Sequence, residues 1–281
     1  MNGLLFVLII LAIVQGIAEF LPISSSGHLV IFEQIKFFKE QLSLAGEQVN
    51  LFINVALHVS TLLAVIIYLW KDLVFLVKGF FKSIFSGDTA SAEVKTSINI
   101  IAASLPAGIL GIIFHDYFEK IFSSNTLVFI LLIINGFILI ITKKIRLKSR
   151  NIEEIGLIRS IFIGFFQALA MLPGISRSGM TIAGGMFNGL KPIESARFSF
   201  LMAIPVIGGA GLIEGIKAAR GAFPQELLMP ILISMLISFI VALFSLKLLF
   251  SLVKQIRINI FGYYTILLGI IGLIGSFFMN I

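Results

Sequence analysis

A polar segment occurs twice in this chain, with no gap between the two copies. QGIAEFLPISSSGH at 15–28 returns as QALAMLPGISRSGM at 167–180, so each residue aligns with the one 152 positions later. Both copies lie in strongly apolar surroundings, where a simple spanning helix would avoid proline, glycine and serine. A duplicated, broken segment of this kind indicates two halves that face each other across one site.

The composition excludes a soluble protein. Of 281 residues, 58% are hydrophobic and 12% are charged, whereas a soluble domain holds about 25% charged residues. The chain has no cysteine, which excludes disulfide and thiolate chemistry. Its net charge of +7 does not indicate nucleic-acid binding, because the basic residues cluster in short loops between apolar runs. The N-terminal apolar run lacks the flanks of a signal peptide, so we expect it to be retained.

The apolar runs predict an all-α, polytopic membrane protein. Six runs are long enough to cross a hydrocarbon core, which takes about 20 helical residues: 51–70, 96–114, 125–142, 198–216, 229–250 and 259–279. Two broken stretches, 3–30 and 160–182, are predicted to form re-entrant helix pairs, whose turns must be buried in protein or line a wet cavity. We therefore predict one membrane domain over 1–281, made of repeat halves 1–145 and 152–281. Three spans per half make the repeat an inverted one.

Lysine and arginine predict the orientation in the membrane. Thirteen basic residues fall on one side of this arrangement: Lys71, Lys78, Lys82, Lys95, Lys143, Lys144, Arg146, Lys148, Arg150, Arg159, Lys247, Lys254 and Arg257. Five fall on the other: Lys36, Lys39, Lys120, Lys217 and Arg220. The larger set is predicted to be cytoplasmic, in a loop 71–95, a loop 143–159 and the segment 247–257. The first re-entrant pair then opens from outside and the second from inside, with their tips near the midplane.

The first copy carries acid–base groups. Gln15 and Glu19 are four residues apart and share a helix face. A carboxylate within an apolar helix costs several kcal/mol unless it is paired or hydrated, so Glu19 needs a cation, a proton or a partner. Ser25 is a candidate nucleophile because a base, His28 or Glu19, is at hand. At least one serine of this turn is expected only to cap the following helix.

The second copy predicts an anion clamp. Arg177 follows a Gly/Ser turn and opens a helix, where backbone N–H groups attract anions and the guanidinium suits phosphate oxygens. Alternatively, Arg177 neutralises Glu19 in a buried ion pair, and the two roles can alternate with ligand occupancy. Arg197 is expected to pair with Glu194, with a second phosphate contact left open. The candidate substrate-binding residues are Ser24, Ser26, Gly27, Gly174, Ser176, Ser178, Gly179, Thr181 and Arg197. His58 is interpreted as a helix-packing contact.

These motifs resemble those of the undecaprenyl-diphosphate phosphatase family of bacteria, the BacA type associated with bacitracin resistance. The family's (E/Q)xxxE motif followed by FLPxSSxGH is matched by Gln15, Glu19 and 20–28. Its PGxSRSGxT motif is matched at 173–181, and its ExxRFSFL element at 194–201. The order and spacing of these motifs fit over essentially the whole chain.

The resemblance implies a function. Such enzymes hydrolyse undecaprenyl diphosphate to undecaprenyl phosphate and inorganic phosphate, which recycles the lipid carrier for cell-wall synthesis. It implies a divalent cation, Mg²⁺ or Ca²⁺, bound at Glu19 and Gln15, although Gln15 leaves one carboxylate where some members have two. It implies the bacterial cell membrane, a site that opens to the extracytoplasmic face, and bacitracin that competes through the polyprenyl diphosphate rather than by binding the protein. A homodimer is compatible with it.

Several alternatives stay open at the level of sequence. In one scheme Ser25 attacks the phosphorus, with His28 as acid or base. In the other, water attacks the phosphorus directly, with His28 or Glu19 as base. A polyprenyl-phosphate flippase or an anion-coupled transporter would use the same inverted-repeat plan. Acid-phosphatase-like lipid phosphatases share the Ser26-Gly27-His28 element, but their other two motifs are missing from this sequence. A purely structural scaffold would not require a duplicated polar core.

Overall fold

The computed structural model of the chain consists of helices joined by turns over the residues that it describes. It describes residues 2–33, 35–87, 90–114, 124–145, 150–220 and 224–279, and these residues form helices and turns without a strand. The predicted all-α class is therefore confirmed. Of the basic residues used for the orientation, Lys120, Arg146 and Lys148 lie outside the described residues.

The helices follow the apolar pattern of the sequence. In chain order they are α1 (Asn2–Ala18), α2 (Ser25–Glu33), α3 (Lys36–Ala45), α4 (Glu47–Tyr68), α5 (Trp70–Ser86), α6 (Ala92–Ile113), α7 (Asn125–Ile141), α8 (Leu157–Leu169), α9 (Arg177–Phe187), α10 (Pro192–Arg220), α11 (Leu228–Lys254) and α12 (Asn259–Met279). Short 3₁₀ turns follow α7 and precede α8 and α11. The pairs α1/α2 and α8/α9 are the two broken stretches that the sequence predicted.

Six stretches are long and apolar enough to cross a membrane, as predicted. They are Val49–Tyr68, Ala92–Gly111, Asn125–Lys144, Pro192–Ile213, Gln225–Lys254 and Asn259–Phe277. Gly3–Ala18 and Leu157–Leu169 are apolar but shorter, which fits their place in the broken pairs. The re-entrant path of those pairs stays a prediction.

The predicted loop 71–95 was wrong, because most of it is α5. This helix ends at Ser86, and Gly87, with a positive φ of 70°, provides a left-handed cap. Apolar residues recur along α5 at helical spacing, with Leu76 buried and the large side chains of Phe75, Phe81 and Phe85 exposed. The lysines between them make the segment too polar for a spanning helix, whereas its apolar period is that of an amphipathic helix.

The two halves pack reciprocally. The first helix of each broken pair packs along the penultimate helix of the opposite half. Thus α1 packs along α11, and α8 packs along α6. The counterparts α4 and α10 contact each other, as do α7 and α12. This exchange of partners is what two repeats related by a two-fold axis would produce. The division at 1–145 and 152–281 stays a prediction.

Glycines allow the helices to approach closely at these crossings. A methyl group on Gly136 of α7 would lie 2.5 Å from the carbonyl oxygen of Gly262 in α12, and a methyl on Gly262 would lie 2.5 Å from the oxygen of Gly136. Similarly, a methyl on Gly16 would lie 2.8 Å from the oxygen of Ser238, and one on Gly164 would lie 2.4 Å from that of Ala103. Small residues at membrane helix interfaces let packing replace the missing hydrophobic driving force.

The Gly136→Ala variant is expected to lower the stability of the α7/α12 pair. The added methyl meets backbone, which cannot turn away, and overpacking of this kind costs about 1–3 kcal/mol. The measurement is the thermal unfolding midpoint of the purified protein in detergent. The matched control is Gly275→Ala on α12, because a methyl there meets nothing within 4 Å. An equal midpoint for the two variants would contradict the close crossing.

Candidate active site

The two broken pairs share one local structure. Both first helices end in turns over six or seven residues, and both second helices begin after a serine that caps them. Ser24 Oγ accepts a hydrogen bond from the Gly27 N–H at 3.1 Å, and Ser176 Oγ accepts one from the Gly179 N–H at 3.1 Å. The capping role expected for one serine of the turn therefore belongs to Ser24, and Ser176 repeats it.

The tips of the two pairs meet. A methyl group on Gly27 would lie 3.3 Å from the Cα of Gly174, and a methyl on Gly179 would lie 2.9 Å from the Cβ of Pro22. These contacts exchange equivalent positions of the repeat. Gly174 has a φ of +97°, and a methyl there would also lie 2.4 Å from the oxygen of Val128. Glycine is thus required at the turn on both conformational and packing grounds.

Asn135 of α7 holds the two turns together. Its side chain is fully buried. Its Nδ2 donates to the carbonyl oxygen of Pro22 at 3.3 Å, and its Oδ1 accepts from the N–H of Ser176 at 3.0 Å. A broken helix leaves backbone groups that lipid cannot satisfy. One amide satisfies a group from each break and sets their spacing.

Glu19 and Arg177 form an ion pair at this junction. Arg177 Nη2 donates to Glu19 Oε1 at 2.6 Å, and the exposed fractions of the two side chains are 17% and 6%. The guanidinium also lies over the ring of Phe200, 5.9 Å from its centre. The other terminal nitrogen, Nη1, is buried without a hydrogen-bond partner. The buried ion pair that the sequence held as an alternative is present, and it leaves one N–H₂ group of Arg177 unused.

The second carboxylate oxygen of Glu19, Oε2, accepts hydrogen bonds from an amide and a hydroxyl. Gln15 Nε2 donates to Oε2 at 3.0 Å, and Ser25 Oγ donates to it at 3.1 Å. Ser25 and Arg177 are equivalent positions of the repeat, each the first residue of its second helix, and they bind the two oxygens of one carboxylate. Convergence of Glu19 and Arg177 in one place, the central expectation from the sequence, is confirmed.

His28 is held away from that carboxylate by two other hydrogen bonds. Its Nδ1 lies 2.8 Å from the carbonyl oxygen of Ser24, and its Nε2 lies 2.8 Å from the hydroxyl of Tyr264. A carbonyl can only accept, so Nδ1 carries a proton, and a neutral His28 accepts from Tyr264 at Nε2. The hydrogen bond of the Ser25 hydroxyl is to Glu19 and not to His28.

Three contributors to the site were missed or undervalued in the sequence. His58 of α4 places Nε2 3.6 Å from Glu19 Oε2, so it is more than the packing contact that was predicted. Tyr264 binds His28, and Asn135 bridges the turns. Each lies within a long apolar span, where a polar side chain is costly, and that position was the available signal.

The other candidate substrate-binding residues are placed as follows. The Oγ atoms of Ser24 and Ser26 are 3.3 Å apart, and those of Ser176 and Ser178 are 3.1 Å apart. Thr181 is buried, and its Oγ1 donates to the carbonyl oxygen of Arg177 at 2.7 Å.

Arg197 belongs to a different cluster of charged side chains. It pairs with Glu194 at 3.1 Å, as predicted, and also with Asp72 of α5. The roles of these residues as phosphate contacts stay predictions.

The chain is similar to one family over nearly its whole length. The family described as bacitracin resistance protein BacA matches residues 8–271. A protein of Halothermothrix orenii named undecaprenyl-diphosphatase is 34% identical over 266 residues, which cover 95% of this chain and 96% of the relative. A protein of Clostridium tetani with the same name is 37% identical over 275 residues, covering 96% of each chain.

Replacement of Asn135 by leucine is expected to lower stability, because it leaves the Ser176 N–H and the Pro22 oxygen buried without partners. Each unsatisfied group costs about 1–3 kcal/mol. Thermal unfolding in detergent measures the loss. If the leucine variant unfolds at the wild-type midpoint, Asn135 does not tether the turns.

Proposed function

Because this chain belongs to the BacA family of bacitracin resistance proteins, we propose that it hydrolyses undecaprenyl diphosphate to undecaprenyl phosphate and inorganic phosphate. It is a multi-pass membrane protein. The observation that carries the proposal is the state of Arg177, which binds Glu19 with one nitrogen and keeps the other buried and unpaired. A buried, unused guanidinium group beside a nucleophile and a carboxylate suits a phosphate ester.

The site supports binding of the terminal phosphate. Arg177 Nη1 supplies a charged donor without breaking the ion pair with Glu19. The N-termini of α2 and α9 meet at the same point, and their partial positive charges favour an anion there. Phosphate oxygens would therefore face Arg177 and the two helix starts, while the polyprenyl chain extends into the apolar part of the fold.

The contacts of Ser25 support covalent catalysis. Its Oγ attacks the terminal phosphorus, the bond from that phosphorus to the bridging oxygen breaks, and polyprenyl phosphate leaves. The serine proton passes to Glu19 Oε2, which already accepts the hydrogen bond. Polyprenyl phosphate leaves as an anion, and protonation of the bridging oxygen by His28 would require an imidazolium whose Nε2–H turns from Tyr264 to that oxygen. Water then hydrolyses the phosphoserine. In the rival scheme water attacks directly and Ser25 only orients the phosphate.

A divalent cation, Mg²⁺ or Ca²⁺, fits the oxygen atoms present. Glu19 offers a carboxylate, and the Oε1 of Gln15 is buried without a hydrogen-bond partner. The described residues contain no cluster of three or more His, Cys, Asp or Glu, so diphosphate oxygens and water would complete the shell, as is common for Mg²⁺. When bound, the cation would neutralise charge on the phosphate oxygens.

The finer parts of the proposal follow the resemblance. The protein acts in the bacterial cell membrane, with a site open to the extracytoplasmic face, where its product returns to cell-wall synthesis. Bacitracin competes by sequestering the diphosphate, and the protein forms a homodimer or acts alone. The flippase or transporter alternative is less favoured, because a carrier needs no hydroxyl hydrogen-bonded to a carboxylate.

The first test uses farnesyl diphosphate as a soluble substrate for the purified protein in detergent. Phosphate release is expected from the wild type and is expected to fall about 100-fold or more in Arg177→Ala, since a lost charged donor costs about this much in a preorganised site. Phosphate release by the Glu19→Gln variant is expected to fall by a similar factor. Arg159→Ala, whose guanidinium donates to the carbonyl oxygen of Ile155 at 3.4 Å, is the matched control. Normal turnover by the Arg177→Ala variant would contradict the proposed role of Arg177 in binding the phosphate.

The second test separates covalent attack from direct attack by water. Ser25→Ala is expected to lose about 10³-fold in kcat, and acid-quenched wild-type enzyme is expected to carry phosphate on Ser25 by mass spectrometry. The control is Ser86→Ala at the exposed end of α5, whose hydroxyl binds the Lys82 oxygen. Turnover within about 10-fold of wild type in Ser25→Ala would favour direct attack by water.

A further inference from the structure

Helix α5 lies across the ends of two membrane-spanning helices. Near its start, Asp72 pairs with Arg197 in the second turn of α10. At its middle, Gly79 packs so closely against Glu93 in the first turn of α6 that no methyl group would fit between them. The stretches of α6 and α10 that can cross the membrane begin at these same ends. An amphipathic helix that contacts both ends follows the membrane surface instead of crossing the bilayer.

Three lysines form a row along α5. Lys71, Lys78 and Lys82 are separated by seven and four residues, which places them within about 40° on one face of the helix. All three side chains are exposed. The sequence of α5 contains a single acidic residue, Asp72, and that carboxylate is paired with Arg197. The lysine row therefore carries a positive charge that α5 itself does not neutralise, and such a row at a membrane surface attracts anionic headgroups.

The opposite face of α5 borders an apolar groove. The groove has a volume of about 240 Å³ and is lined by side chains of α5, α6 and α10, among them Leu76, Phe80, Ile100, Leu201 and Pro205. Pockets for small polar ligands are larger, about 300–1,000 Å³, and hold several polar groups. A smaller groove with an almost wholly apolar lining suits a hydrocarbon chain.

Trp70, the only tryptophan of the chain, lies at the start of α5 where the membrane interface is expected. Its side chain is 57% exposed, and that of Tyr68 just before it is 38% exposed. Tryptophan and tyrosine are enriched where hydrocarbon meets the lipid headgroups. Val77 and Phe81, seven and eleven residues after Trp70, line the groove. Trp70 therefore lies on the helix face that borders the groove.

We propose that α5, α6 and α10 bind an anionic phospholipid, with its phosphate at the lysine row and one acyl chain in the groove. A helix at the membrane surface presents its lysines at headgroup level and its apolar face at hydrocarbon level, which matches the two ends of a phospholipid. The groove alone would accept any apolar chain, whereas the lysine row selects a negative headgroup. The inference goes beyond the proposed function, because this site is separate from the junction of the broken pairs.

The lipid site nevertheless shares a helix with that junction. Leu201 of α10 lines the groove, and its neighbour Phe200 lies against the guanidinium of Arg177. A bound acyl chain would therefore pack against the helix that carries Phe200.

The experiment measures how brominated lipids quench the fluorescence of Trp70 in the purified protein, reconstituted in phosphatidylcholine bilayers. The quenching ratio compares brominated phosphatidylglycerol with brominated phosphatidylcholine at the same mole fraction. In the wild type this ratio is expected to be about 5 or more, because a single lysine near an anionic surface contributes about this factor. In the variant Lys71→Gln/Lys78→Gln/Lys82→Gln, the ratio is expected to fall below about 2.

The matched control is Lys144→Gln/Lys247→Gln/Lys254→Gln, which removes the same charge from exposed lysines outside α5. Its quenching ratio is expected to stay at the wild-type value, because these lysines do not belong to the row. Thermal unfolding in detergent checks that each variant is folded.

A further variant tests the groove. Ser97 lines the groove, and its hydroxyl donates to the carbonyl oxygen of Glu93 at 2.9 Å. A phenylalanine in its place would occupy the space for the acyl chain. Ser97→Phe is therefore expected to lower the quenching ratio to that of the variant without the lysine row.

Three results would overturn the site. The first is equal quenching by the two lipids in the wild type, or an unchanged ratio in the lysine-row variant or in Ser97→Phe. The second is protection of Trp70 from both lipids, which would assign this face to a second copy of the chain. The third is relief of quenching by an equal amount of polyprenyl phosphate, which would assign the groove to the substrate chain. None of these measurements depends on phosphate release, so they leave the proposed function to its own tests.

Discussion

The ion pair between Glu19 and Arg177 is the interaction on which the rest of this structure depends. A carboxylate at 7% exposure in a membrane chain is strongly destabilising unless a cation neutralises it. That cation comes from the opposite half of the chain, 158 residues away, at 2.6 Å. Correct assembly of the two halves and neutralisation of the site are therefore the same event. Loss of either partner leaves a buried, uncompensated charge, which is costlier than removal of both.

The polar groups around the pair serve the broken helices as much as the chemistry. Each break exposes backbone N–H and carbonyl groups that must find partners inside the protein. Ser24 and Ser176 cap α2 and α9, and Asn135 joins the two turns from a third helix. Ser24 adopts a positive φ of 70°, which is uncommon for a residue with a side chain. Such backbone conformations persist where surrounding contacts hold them, and here they place Ser25 against Glu19.

The repeat supplies one scaffold, and substitution within it supplies asymmetry. Both copies keep the glutamine, the capping serine and the close-packed glycine. Three of the eight positions at which they differ change the chemistry: Glu19 against Met171, Ser25 against Arg177, and His28 against Met180. The carboxylate, the hydroxyl and the imidazole thus lie in the first half and the guanidinium in the second, and they meet only because the tips of the two breaks are in contact. The phosphate chemistry proposed for the chain needs this meeting, since neither half holds a complete site.

The sequence by itself determined the all-α membrane class, the six spans, the two helix breaks and the need of Glu19 for a partner, with Arg177 as one alternative. Apolar length, turn residues and an ungapped repeat are local signals, and a buried charge demands a partner wherever it lies. Only the tertiary structure decided that Ser25 donates to Glu19 while His28 binds Tyr264, that His58 faces the same carboxylate and that Asn135 ties the turns. Those contacts depend on the crossing of α4, α7 and α12 with the broken pairs. Crossings follow from side-chain packing between distant segments, which no periodicity within one segment records.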